Sequence, residues 1–144
     1  MESEFIRTTE ECSHAAIKNE ITFPEVLQRL TEIGVERYHA DYSRHEITYY
    51  HSDGTSHVVS LTPPQAEIGL EFCADIIESA VKQSQQNEHT YNDFLRKTMR
   101  AGCVGYFVQI TGKQVIYFGR NGDTHVERFP GSVGDRLATS LCDS

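Results

Sequence analysis

Apolar positions recur along this chain with two periods that alternate, and the alternation sorts it into helices and strands. Between 65 and 84, Ile68, Phe72, Cys73, Ile76, Ile77 and Ala80 repeat at the 3.6-residue period of a helix face. Glu71, Asp75, Glu78 and Lys82 lie opposite them, with Glu78 and Lys82 in the favourable i,i+4 order. A shorter and weaker helix is expected at about 8–18. Thr8 with Glu11, and Thr62 with Gln65, have the capping-box spacing that satisfies orphan backbone N–H groups, and Pro63 suits a first helical position. Short second helices start at Thr22 with Glu25 and at Thr90 with Asp93. Val26, Leu27, Leu30 and Ile33 form the buried side of one, and Phe94, Leu95 and Met99 that of the other. Gly34 and Gly102 end them, because a chain leaving a helix with φ > 0 favours glycine. Period-two patterns then predict strands at about 35–42, 46–51 and 55–61, and again at 103–110, 113–119 and 123–129. Asp53-Gly54 and Asn121-Gly122 read as two-residue hairpin turns with φ > 0 at both positions. Ser43-Arg44-His45 and Thr111-Gly112 turn the other hairpins, and a last helix is expected at about 132–140.

The same order of elements occurs twice. Shifted by 68, positions 19–61 lie over 87–129 without a gap. Ten pairs are identical: Asn19/Asn87, Glu20/Glu88, Thr22/Thr90, Leu27/Leu95, Gly34/Gly102, Tyr38/Tyr106, Tyr49/Tyr117, Gly54/Gly122, His57/His125 and Val58/Val126. Other pairs keep their chemistry, among them Phe23/Tyr91, Glu25/Asp93 and Ile47/Val115. The expectation is an α+β fold made by duplicating an ααβββ unit, with antiparallel sheet covered by helices and a pseudo-two-fold axis between copies. One domain over 1–144 is expected, with repeat one at about 8–61 and repeat two at about 62–130.

Composition narrows the function without naming it. With 13 basic and 21 acidic residues the 144-residue chain has a net charge of −8. That argues against nucleic acid, which demands basic patches, and against anionic membrane surfaces. No apolar run reaches the roughly 18 residues of a membrane span, and the N-terminus does not read as an export signal. The cysteines, Cys12, Cys73, Cys103 and Cys142, match no zinc spacing and are expected to be reduced thiols in a cytoplasmic protein. Cys103 opens a strand and is a conceivable nucleophile, though a small core residue is the plainer reading.

Candidate chemistry is sparse. His57 and His125 take the same place on the third strand of each copy. They read either as polar groups facing a shared groove or as structural imidazoles, and the structural reading is preferred because a duplicated scaffold retains what holds it together. Tyr38/Tyr106 and Tyr49/Tyr117 read as core packing or as the rings of a ligand pocket. A ligand site between the copies would draw on Tyr49, His57, Tyr117, Arg120 and His125. His39, Asp41, His51 and His57 are weak metal-ligand candidates, since copy two does not repeat them, and no metal or other cofactor is expected. Gly119-Arg120-Asn121-Gly122 has a phosphate-loop look but sits in a hairpin turn. No nucleotide-binding, zinc-protease or serine-hydrolase motif is present.

Ala101-Gly102-Cys103-Val104-Gly105-Tyr106-Phe107-Val108, Tyr117-Phe118-Gly119-Arg120 and Thr124-His125-Val126-Glu127-Arg128-Phe129-Pro130 resemble a bacterial domain-of-unknown-function family often labelled "phage envelope protein". Phe23-Pro24-Glu25-Val26 and Gly34-Val35-Glu36-Arg37-Tyr38 in copy one agree, so the resemblance spans about 10–130. It implies a small soluble bacterial protein, in some cases prophage-encoded, and carries over no catalytic residue. The expected function is a non-catalytic cytosolic binding or assembly module, possible as a homo-oligomer. The alternative is a small-molecule-binding protein or enzyme with a Tyr/His-lined pocket between the repeats. An acidic DNA mimic ranks last, because the acids form no dense stripe.

Overall fold

Both halves of the chain build their helices with the same end chemistry. In the computed structural model, which describes residues 3–62 and 66–129, the elements run α1 (Glu4–Ile17), α2 (Phe23–Glu32), β1 (Val35–Asp41), β2 (Glu46–His51), β3 (Ser56–Ser60), α3 (Ala74–Gln85), α4 (Tyr91–Arg100), β4 (Cys103–Gln109), β5 (Gln114–Gly119) and β6 (Thr124–Arg128). The capping boxes of α2 and α4 form as expected, Thr22 with Glu25 and Thr90 with Asp93. α1 and α3 end in matching Schellman motifs: Glu20 N–H donates to the Ala15 carbonyl and Asn19 N–H to Ala16, as Glu88 does to Gln83 and Asn87 to Ser84. Asn19 and Asn87 sit at φ 59° and 55°, which explains why asparagine stands at both positions. Gly34 and Gly102 have φ 87° and 86°.

The six strands form one antiparallel sheet in the order β3-β2-β1-β4-β5-β6. β1 and β4 meet at the centre, with His39 directly opposite Phe107. Those two positions are equivalent under the 68-residue shift, so the pseudo-two-fold axis runs through that pair. The helices cover one face. Along it lie Val59, Ile47, Ala40, Tyr106 and Tyr117 in one cross-strand row and Tyr49, Tyr38, Val108 and Val115 in the next, all buried. Leu30, Ile77, Phe94, Leu95 and Met99 close the core from the helix side.

Three local expectations are corrected. The helix expected over 65–84 exists only from Ala74, with Cys73 as its N-cap and no side-chain cap bond. The preceding stretch instead docks on the end of α4, Gly69 N–H donating to the Met99 carbonyl and Cys73 N–H to Ala101, both at 2.8 Å. A Cβ at Gly69 would run into the Arg100 carbonyl, so the backbones touch there. Ile68 and Phe72 do pack against the core, but from a non-helical chain. The first helix, conversely, is longer than expected: Ser3 caps it by accepting from Ile6 N–H, and Thr8 lies buried inside it. Finally, among the turn residues at Asp53-Gly54 and Asn121-Gly122 only the glycines have positive φ, 97° and 91°. Gly54 N–H donates to His51 and His51 N–H to Thr55, which makes a three-residue loop, a type I turn closed by a left-handed glycine. Gly122 N–H to Gly119 and Gly119 N–H to Asp123 repeat it. In the other hairpins the left-handed residues are His45 and Lys113, not Gly112. Pro63, Gln65 and the helix expected at 132–140 lie outside the described residues.

Candidate functional site

On the helix side of the sheet a cavity of about 410 Å³ opens where the two helical pairs part. Tyr38, Tyr49, Ile47 and Tyr106 floor it from the strands. Cys12, Ser13 and Ala16 of α1, the start of α2 from Thr22 to Val26, and Ser84, Asn87, His89 and Tyr91 around the α3–α4 joint form its walls and rim. Five equivalent pairs line it with both members: Ala16/Ser84, Asn19/Asn87, Ile21/His89, Phe23/Tyr91 and Tyr38/Tyr106. The cavity therefore straddles the pseudo-two-fold axis, behind the His39–Phe107 pair. Its volume falls in the range of small-molecule sites, about 300–1,000 Å³.

The tyrosines are packed in equivalent pairs, Tyr38 on Tyr49 at 5.1 Å and Tyr106 on Tyr117 at 5.6 Å between ring centroids. Burial holds all four phenols above their ordinary pKa, so they are neutral donors at physiological pH. The Tyr106 hydroxyl meets the Tyr91 hydroxyl at 2.6 Å, and burial pushes Tyr91 up to about 12. The counterpart of Tyr91 is Phe23, which offers no hydroxyl to Tyr38. Tyr38 is only 4% exposed, and among the described residues no hydrogen bond reaches its hydroxyl. Tyr49 instead pairs with Ser13 Oγ at 2.5 Å.

A serine and a histidine also meet at the cavity rim: Ser84 Oγ lies 2.8 Å from His89 Nε2. Lys97 Nζ lies 2.9 Å from His89 Nδ1 and donates to Gln83 Oε1 at 3.0 Å. An ammonium only donates, so Nδ1 must carry the lone pair and Nε2 the proton. His89 then donates to Ser84 and has no free lone pair with which to take the serine proton. A hydrolytic triad needs an acceptor where Lys97 stands. Burial, with Lys97 adding to it, lowers the His89 pKa, in keeping with a neutral ring. The arrangement leaves the Ser84 O–H free to donate to a bound acceptor.

The residues grouped from sequence do not converge. Tyr49 borders the cavity, and His57 is its cross-strand neighbour, its Nε2 3.3 Å from Glu10 of α1. Tyr117 and His125 form the equivalent pair on the opposite wing. The His125 Nε2 lies 2.5 Å from Glu127, which raises the imidazole pKa despite partial burial. Arg120 donates to the Ile68 carbonyl at 3.1 Å. His39 stacks on Phe107 at 4.6 Å, and Asp41 Oδ1 accepts from Ser43 and Arg44 N–H, both on the face without helices. His51 packs edge-on to Phe5 and accepts from Asp53 N–H. Among the described residues no three His, Cys, Asp or Glu side chains gather as a metal site. Cys103 is fully buried, donates to the Gly105 carbonyl, and burial pushes its thiol up to about 11, far from a reactive thiolate. Ser84, His89 and Tyr91 were not anticipated. The signal that marks them is divergence at equivalent positions, Ala16/Ser84, Ile21/His89 and Phe23/Tyr91.

Residues 11–127 match the model of a family described as Protein of unknown function (DUF1398). The chain belongs to that family. No curated protein matches it. Among the described residues no helix is long and apolar enough to cross a membrane.

Proposed function

We propose that this DUF1398 chain is a non-catalytic binding module of the bacterial cytosol, in some cases carried by prophages, and that it holds a small, partly aromatic ligand in the axial cavity. The observation that carries this reading is the Tyr38 hydroxyl, which opens onto a cavity that both copies line and has no hydrogen-bond partner among the described residues. A phenol that faces the cavity without a protein partner is free to donate to an acceptor on a ligand. The lone-pair assignment at His89 supports binding over hydrolysis, since it makes the serine a donor and not a nucleophile. Buried, unpaired Cys12 and Cys103 support a reducing compartment.

The test uses 2-naphthol as a probe with aromatic area and an oxygen for Tyr38. Amide chemical shifts should move around Tyr38, Ala16 and Tyr91, and Ala16→Trp, which fills the space, should abolish the response with the fold intact. Millimolar probe without shifts at these residues, together with no ligand retained in native mass spectra of the purified protein, overturns the reading.

A further inference from the structure

We infer that the helix-free face of the sheet is the contact between two copies of this chain, meeting face to face about a two-fold axis that lies along the central cross-strand row. The inference concerns the face opposite the cavity and stands independently of the ligand reading.

The strand registers define three rows across that face. The central one is mostly apolar: Val58, Phe107, Ile116 and Val126, with Thr48 and His39 between them, face one another across all six strands. Val58 and Val126 remain 47% and 37% exposed at its ends. The row on one side carries Glu46 and Asp41, and the row on the other carries Arg37 and Arg128. Phe118 continues the acidic row and Tyr50 the basic one, with the Arg37 guanidinium 4.3 Å above the Tyr50 ring. A largely apolar row on a sheet face that no described helix covers favours a partner.

Charge selects a second copy. Arg37 is paired with Glu36 and Glu46 with Arg44, so with these neighbours counted three acids and three arginines balance at this face, on a chain whose total is −8. Two such chains repel one another through acidic surfaces but not through this one. Rotation about the central row leaves each strand in place and exchanges the flanking rows. Asp41 of one copy then meets Arg37 of the other, whose Nη1 holds Glu36 and whose remaining nitrogens are left for Asp41, and Glu46, held by Arg44 at 2.8 Å, meets Tyr50 with its stacked Arg37. Asp41 keeps Oδ2 for such a pair, since its turn contacts use Oδ1. Strands of the two copies stay aligned, the geometry of sandwich packing. Six strands at about 4.8 Å and five to seven residues at about 3.3 Å give a footprint of roughly 600 Å² per copy. Two copies bury about 1,200 Å² in projection, which reaches the lower bound for a stable interface.

Sedimentation equilibrium of the full chain tests this. A dimer is expected, with Arg37→Asp and Asp41→Arg each raising the dissociation constant at least about tenfold and the double exchange restoring it to within about threefold. Circular dichroism checks the fold of each variant. Should Asp41→Arg weaken its own turn, Glu46→Arg paired with Arg37→Glu replaces it. A monomer at every concentration overturns the inference, whatever else covers the face. So does a dimer indifferent to both reversals. Neither outcome touches naphthol binding, which reads the opposite face.

Discussion

The two copies hold the same pair of stacked core tyrosines, yet each satisfies a different member. In copy one Ser13 meets Tyr49 and leaves the Tyr38 hydroxyl open to the cavity. In copy two Tyr91 meets Tyr106, while Val81 stands where copy one has Ser13, so Tyr117 has no serine to bond. The scaffold needs the rings at all four positions, because they fill equivalent space. The hydroxyls are free to diverge. The cavity is the place where that divergence gathers, which marks it as the specialised part of a duplicated frame.

Glycine substitution should break the symmetry most. Gly34 and Gly102 share a left-handed backbone, but an added Cβ meets a side chain, the His51 ring, at Gly34 and the Glu71 backbone carbonyl at Gly102. Gly34→Ala should cost about 1–2 kcal/mol from backbone conformation, whereas Gly102→Ala should cost more than about 3 kcal/mol, because the docked segment must move. Urea denaturation of both variants checks this, and equal losses would refute the proposed docking of residues 66–73 on α4.

The hydroxyls give a smaller contrast. Tyr49→Phe strands the buried Ser13 and should cost about 1–2 kcal/mol, as should Tyr106→Phe, while Tyr38→Phe and Tyr117→Phe should stay within about 0.5 kcal/mol. Thermal unfolding of the four variants measures it, and a large loss in Tyr38→Phe would mean that its hydroxyl is already satisfied.

The smallest effect concerns pH. Burial lowers the His39 pKa, so the folded state disfavours the imidazolium. Stability tied to this group is present above the unfolded value near 6.5 and falls as pH drops toward the lower folded value. His39→Phe, which installs the Phe107 side chain at its equivalent position, should flatten the acid side of the stability–pH curve. His125 runs the other way: its raised pKa gives stability that is full below the unfolded value and fades as pH rises through the folded one. Glu127→Gln should remove that slope.

The repeat, the capping boxes at Thr22 and Thr90, and the strands to within about one residue were legible in the chain, because each rests on contacts between residues close in sequence. The strand pairing at the centre needed more. Placing β1 against β4, and so His39 on Phe107, joins positions 68 apart, and no local pattern carries that information. The apolar spacing of Ile68, Phe72 and Ile76 is equally good for a helix or for a docked chain, and Gly69 on the Arg100 carbonyl decided between them.

By itself, then, the sequence determined what short-range forces control: where helices start and stop, where the chain turns, which strand face is apolar, and that one unit was used twice. Only the tertiary structure decided which retained rings share a space, that among the described residues Tyr38 has no hydroxyl partner while Tyr106 has one, and that the described helices all lie on one face of the sheet. Those outcomes depend on which distant groups reach hydrogen-bond distance once the backbone has closed, and a period of 2 or 3.6 residues records nothing about that.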